Sequence, residues 1–195
     1  MADFQSPLGL AYRPGDHGNA AGGVGVTIHE RTDISLIQVT AWSDAIPTVL
    51  TAIGSATGVI IQNKPGNGRV AGEKTVFGFA PGRFMVVGAT PDLEQRLRAA
   101  ISPDLGTVVA LTHGRTVIRI RGTHVEWVLA KLFAIDFSEH AFPIGAGRAT
   151  LHHDIHTLIQ RIDSETFDLY VFRTFARSFW LTLGRAAEEV GYRVK

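Results

Sequence analysis

The chain contains no cysteine, which removes thiol nucleophiles, disulfides and thiolate metal sites together and fits a reducing cytoplasm. Excess charge of one sign is missing too, since 19 Lys and Arg stand against 18 Asp and Glu for a formal net charge of +1. No net field therefore draws the chain to nucleic acid or to an anionic membrane. Long apolar runs are absent: none approaches the roughly 18 residues that a membrane-spanning helix requires. The opening stretch MADFQSPLGLAYRPGDHGNAAGG is interrupted by Asp3, Pro7, Arg13, Pro14 and Asp16 and does not read as a signal peptide. Catalytic signatures are lacking as well. No Gly-x-Ser-x-Gly elbow occurs, and the glycine-rich segments 22–27 and 66–72 miss the dinucleotide-binding spacing.

What remains is a patterned, core-forming chain. With 195 residues, 45% of them hydrophobic, it is long enough for one large domain or two packed half-domains. Residues 1–23 are rich in Gly, Ala and Pro without a period and read as a flexible N-terminal arm, which can also serve as a docking strap. Residues 24–195 read as a single α+β domain. VGVTIHE and DISLIQVTAW alternate apolar residues, with Ile34, Leu36 and Val39 inward, and read as two strands of a hairpin. Asp44 is a candidate N-cap for a short helix over IPTVLTAIGSA ending near Gly54, with Pro47 in its first turn. A loop follows around Lys64 to Gly68. Two strands around Pro81-Gly82 come next, and then a helix opened by Pro91 with Leu93, Leu97 and Ile101 at helical spacing.

The second half reads in the same order: strands at GTVVALT, RTVIRIRG, ATLHHDIHTLIQRID and TFDLYVF, and helices at THVEWVLAKLF and RTFARSFWLTLGRAAEEV. Ile34 and Leu36 align with Ile118 and Ile120 at an offset of 84, and Phe84 and Pro91 with Phe167 and Thr174 at 83. The expectation is a pair of pseudo-repeated β-β-α-β-β-α halves, about 24–104 and 105–195.

Few residues invite chemistry. His152, His153, Asp154 and His156 offer metal-ligand types, but on a continuous strand His152, Asp154 and His156 share a face while His153 points away. Residues two apart on a strand are too widely spaced to chelate unaided, so the group reads as a polar strand face or a hairpin tip. Asp136, Ser138 and His140 read as a helix-exit turn, because a triad is defined by spatial roles and not by sequence proximity. Arg115, Arg119 and Arg121 project from one side of RTVIRIRG. Such a row suits an acidic partner or phosphate, or else a solvated sheet face. Phe172, Phe175, Phe179 and Trp180 form an aromatic stripe that serves either a core, together with Trp127, Phe133, Phe137 and Phe142, or a subunit contact. Arg115, Arg119, Arg121, Phe175 and Phe179 are the candidate subunit interface.

Arg115 to Gly122, the helix ending in Ala130-Lys131, the Ile135-Asp136 pair and His140-Ala141-Phe142-Pro143-Ile144-Gly145 resemble a stretch of the gamma subunit family of heterotetrameric sarcosine oxidase. That family writes it as a strand ending in Gly, a Leu-Ala-Lys helix, Pro-Leu-Asp-Leu and an Arg-Ala-Phe-Pro-Val-Gly turn. Phe172-Arg173-Thr174-Phe175-Ala176 is similar to its Arg-x-Ser-Phe helix start, and Ser6-Pro7-Leu8 to its arm. The resemblance implies the folate-binding fold of glycine-cleavage T-protein relatives and a subunit with no catalytic, cofactor or metal residues of its own. It implies alpha, beta and delta subunits as partners, holding FAD, FMN, NAD, zinc and tetrahydrofolate among them. The implied complex is cytoplasmic and demethylates sarcosine to glycine, passing the methyl carbon to tetrahydrofolate and forming hydrogen peroxide. Two alternatives are the homologous small subunit of an N-methylglutamate dehydrogenase or other secondary-amine demethylase complex, and a stand-alone folate-binding protein. Asp136 and Glu126 are the only carboxylates proposed to meet a pterin in the latter.

Overall fold

The computed structural model describes residues 5–90 and 92–195. In chain order the regular elements of the first part are β1 (Gly15–His17), β2 (Val26–Arg31), β3 (Ser35–Ala41), α1 (Ile46–Thr57), β4 (Gly68–Ala71), β5 (Lys74–Ala80), β6 (Arg83–Gly88), α2 (Leu93–Ala100) and β7 (Gly106–Ala110). They continue with β8 (Arg115–Arg121), α3 (Val125–Ala130), β9 (Gly147–His152), β10 (Ile155–Asp163), β11 (Thr166–Phe172), α4 (Ala176–Ala187) and β12 (Tyr192–Val194). Short 3-10 turns flank the arm and α4. The class is α+β with two sheets, seven strands in the order β1-β12-β2-β8-β11-β10-β9 and five in the order β4-β5-β6-β3-β7.

Two compact units contain these sheets: one built from residues up to Thr32 with Arg115–Pro143 and Thr150–Lys195, the other from Asp33–Gly114 with Ile144–Ala149. In the five-stranded unit α1 and α2 bury Val49, Ile53, Leu93, Leu97 and Ile101 on Ile37, Val39, Val76, Phe84 and Val86 of the sheet. At about 25 cal/mol per Å² of apolar surface, such burial is what holds helices too short to persist alone. Gly147 is required there, because a Cβ at that position would fall 2.1 Å from the Phe77 ring. In the seven-stranded unit α4 lies against β8 and β11; Phe179 and Leu183 of the helix are fully buried, as are Ile118, Ile120 and Leu169 of the strands.

The repetition is visible in the topology. From β3 the chain runs strand, helix, three strands, helix, strand to β7, and from β8 it runs the same way to β12. The neighbour order β4-β5-β6-β3-β7 recurs as β9-β10-β11-β8-β12, with β2 inserted between β8 and β12. The units differ from halves divided at 104 and 105 because β7 pairs with β3 and β2 pairs with β8 and β12. The register of the first strand also differs. Val39 faces Phe84 and Ile37 faces Val86, as Ile120 faces Phe167 and Ile118 faces Leu169, so β3 maps onto β8 at 81 and not 84. A slip by an odd number turns every side chain to the opposite face, which alternation alone does not detect. The later offset of 83 holds for Phe84 and Phe167, while Pro91 lies outside the described residues.

Four further readings are corrected. β2 and β3 do not form a hairpin but enter different sheets, and Arg31-Thr32 supplies none of the glycine chemistry of a tight two-residue turn. α1 passes through Gly54 and ends where Gly58 adopts φ 76°, with the Thr57 hydroxyl donating to the Ile53 carbonyl at 2.7 Å. Its N-cap is Ala45, without a side-chain cap. The segment 150–163 is two strands broken at His153, which takes φ 49°. The arm's first four residues lie outside the described residues. The remainder is docked: Leu8 is buried, β1 pairs with β12, and the Trp180 indole donates to the Ala11 carbonyl at 3.1 Å.

Candidate subunit interface

The arginine row of β8 is spent largely inside its unit. Arg119 makes a bidentate pair with Asp168 on the neighbouring β11, both bonds 2.7 Å, and Arg31 approaches the same carboxylate at 3.4 Å. Burial opposes the Arg119 charge, but the hydrogen bonds and charge of Asp168 prevail and hold its guanidinium above the usual range. Register explains the meeting, since Arg119 stands directly opposite Asp168 in the antiparallel ladder. Arg115 is only 6% exposed; it donates to the Tyr170 carbonyl at 3.2 Å and stacks 4.2 Å from the Phe172 ring centroid. Burial lowers its pKa. Arg121, at the strand end, is exposed.

The aromatic stripe divides in the same manner. Phe179 has no exposed surface and packs against Phe133 and His152 at ring distances of 6.1 and 6.5 Å. As a core side chain it presents nothing to a partner. Phe175 and Phe172 keep 40% and 41% of their surface exposed, because they precede the first full turn of α4. Arg121 and Phe175 are therefore the members of the candidate set available at the surface.

The same unit buries an arginine that the sequence reading passed over. Arg161 of β10 is 1% exposed. Its Nη1 donates to the carbonyls of Phe137 and Phe142 at 2.9 and 3.1 Å, its Nη2 to the Ser164 carbonyl at 3.0 Å and to the Glu126 carboxylate, and its Nε to the Asp163 carbonyl at 3.3 Å. All five donors of the guanidinium are used. The Phe137, Phe142 and Phe167 rings close around it at mutual distances of 5.6 to 5.9 Å. An arginine two positions after Ile159, at the alternation of an inward strand face, was the available signal, since a buried charge requires such a cage.

The remaining chemical candidates have local duties. The Asp136 carboxylate accepts from the Ser138 backbone N–H at 2.9 Å, and that bond holds its pKa below the usual carboxylate value. Glu126 is occupied by Arg161. The His152 ring bonds the Leu132 carbonyl at 2.9 Å, while His153 and Asp154 form the turn between β9 and β10. Among the described residues no three His, Asp or Glu side chains converge as metal ligands, and no helix is long and apolar enough to cross a membrane.

Residues 43–189 match the model of a family described as the sarcosine oxidase gamma subunit family. The heterotetrameric sarcosine oxidase from Corynebacterium sp. U-96, solved in complex with pyrrole 2-carboxylate, contains a chain of the same fold. That chain is 23% identical with a TM-score of 0.79, over 96% of each chain. The glycine cleavage system aminomethyltransferase T from Bartonella henselae is 17% identical with a TM-score of 0.63, covering 88% of this chain and 48% of that one. Both likenesses concern the fold. The chain has no match among curated protein sequences.

Proposed function

The chain belongs to the sarcosine oxidase gamma subunit family, and from that membership we propose that it acts as the non-catalytic gamma subunit of a flavin-dependent heterotetrameric complex oxidising a secondary amine. The family match across three quarters of the chain carries the reading. In the proposed complex alpha, beta and delta subunits hold FAD, FMN, NAD, zinc and tetrahydrofolate, and the assembly works in the cytoplasm. Sarcosine is oxidised at its carbon–nitrogen bond, dioxygen takes the electron pair to give hydrogen peroxide, glycine leaves, and the methyl carbon passes to tetrahydrofolate.

The geometry supports a structural part for this chain. Two of its buried charged groups are closed by partners within one unit, Asp168 by Arg119 and Arg31, and Arg161 by Glu126 and four carbonyls. The two carboxylates proposed for a pterin, Asp136 and Glu126, are engaged with Ser138 and Arg161, which disfavours the stand-alone folate reading. Exposed Arg121 and Phe175 are the side chains we propose at a subunit contact.

The test is turnover by the purified complex with sarcosine or N-methylglutamate, following oxygen uptake and peroxide. Sarcosine-dependent peroxide supports the oxidase reading. Turnover of N-methylglutamate without oxygen uptake moves the chain to the dehydrogenase relatives.

A further inference from the structure

Each sheet ends in two edge strands, and three of the four are blunted. β1 carries Asp16 and His17, β4 carries Arg69, and β9 carries Arg148, the charged edges by which proteins discourage intermolecular pairing. β7 is the exception. From Leu105 to Thr112 the sequence LGTVVALT has neither charge nor proline, and Val109 is 43% exposed with Thr107 and Ala110 also exposed.

The hydrogen-bond parity of β7 fixes which backbone groups face outward. The Leu111 N–H donates to the Leu36 carbonyl at 2.7 Å, and Val109 and Thr107 stand opposite Gln38 and Thr40. In an antiparallel ladder alternate residues bond the same neighbour, so Leu111, Val109 and Thr107 bond β3. Val108 and Ala110 present their N–H and C=O groups to the open side, where among the described residues no strand adjoins β7. The edge is about 16 Å long at 3.3 Å per residue.

We propose that β7 is a docking edge to which an extended, uncharged segment of another subunit of the complex adds as a sixth strand, bonding Val108 and Ala110. This rests on the subunit reading above, and it deepens that reading by naming the surface. An edge without gatekeepers is tolerable in a protein whose edge is covered on assembly. A hetero-subunit strand is favoured over a second copy because the structure of matching fold belongs to a heterotetramer.

The experiment uses the full chain, tagged and co-expressed with its partner subunits. Ala110→Pro removes an outward N–H while sparing the bonds to β3, an exchange that edge strands accept. It lowers recovery of the partner subunits about tenfold or more. Hydrogen exchange with residue-level readout on the wild-type complex shows the Val108 and Ala110 amides as slow as those of Thr107 and Val109, and this measurement decides the matter if the variant does not fold. Freely exchanging Val108 and Ala110 in an assembled complex overturns the edge assignment, as does a folded Ala110→Pro variant that assembles normally. A homodimer of the chain that Ala110→Pro dissociates assigns the edge to a second copy and also overturns it. Recovery of the wild-type chain with no other subunit instead overturns the subunit reading on which the proposal rests.

Discussion

Replacing Arg161 by methionine removes five donors, two of which fasten the 136–143 loop, while keeping a side chain of comparable length against the Phe167 ring, which the guanidinium now covers at 4.9 Å. Four carbonyls, those of Phe137, Phe142, Asp163 and Ser164, lose their charged donor. Hydrogen bonds to charged groups contribute about 1.5–3 kcal/mol each, but they are not additive once the loop relaxes. Leaving a buried acceptor without its donor costs about 1–3 kcal/mol, so with partial relaxation of the cage the loss for Arg161→Met is about 3–5 kcal/mol. Against a total stability of about 5–15 kcal/mol, that loss leaves the unit marginal. Glu126 is the contrasting case: its side chain is 44% exposed, glutamine keeps an oxygen to accept from Nη2, and the four carbonyls still surround the guanidinium, so Glu126→Gln costs about 1 kcal/mol. Urea unfolding followed by tryptophan fluorescence measures both, with separate transitions allowed for the two units. A loss below about 1 kcal/mol for Arg161→Met refutes the cage, and so does a Glu126→Gln variant as unstable as Arg161→Met.

Other substitutions separate core from surface. Phe179→Ala empties a fully buried site and lowers stability by about 3–5 kcal/mol, whereas Phe175→Ala stays within about 1 kcal/mol of the wild type; equal losses in the same unfolding assay contradict the assignment. Deleting residues 1–23 uncovers the contacts of Leu8, 1% exposed, and takes the Ala11 acceptor from Trp180. Stability falls by about 2 kcal/mol or more, contrary to the expectation of a flexible arm, and an unchanged melting temperature sinks this prediction. Burial raises the Glu30 pKa despite the Ser6 hydroxyl and Arg173, and its buried Oε1 has no hydrogen-bond partner among the described residues. The folded chain then keeps that proton to higher pH than the unfolded chain. The group's favourable contribution is complete below its ordinary value and is lost as pH rises through the raised one. Glu30→Gln accordingly matches the wild type near pH 4 and melts higher near pH 8; a pH-independent difference between the two contradicts it.

The sequence disclosed strands and helices where period and turn chemistry agreed, as in the β5–β6 pair around Pro81-Gly82 and the stripe of Leu93, Leu97 and Ile101. It could not disclose partners. β2 alternates as a hairpin strand would, yet its neighbours β8 and β12 lie far along the chain, and pairing across such distances is a matter of tertiary packing. The short strands β1, β4 and β12 are too brief for a period to register. The candidate interface was legible by residue type but not by exposure. Arg115, Arg119 and Arg121 alternate on one face as read, but Asp168 and Phe172, which occupy two of them, come from a strand some fifty residues later. Phe175 and Phe179 share a helical stripe whose first member precedes the regular helix and so escapes burial.

The most direct test of the central claim is purification of the tagged chain from its native host, with mass spectrometry and an absorbance spectrum of the eluate. The account predicts a yellow complex in which this chain accompanies three others, among them a flavin-bearing subunit. A colourless chain recovered alone contradicts it.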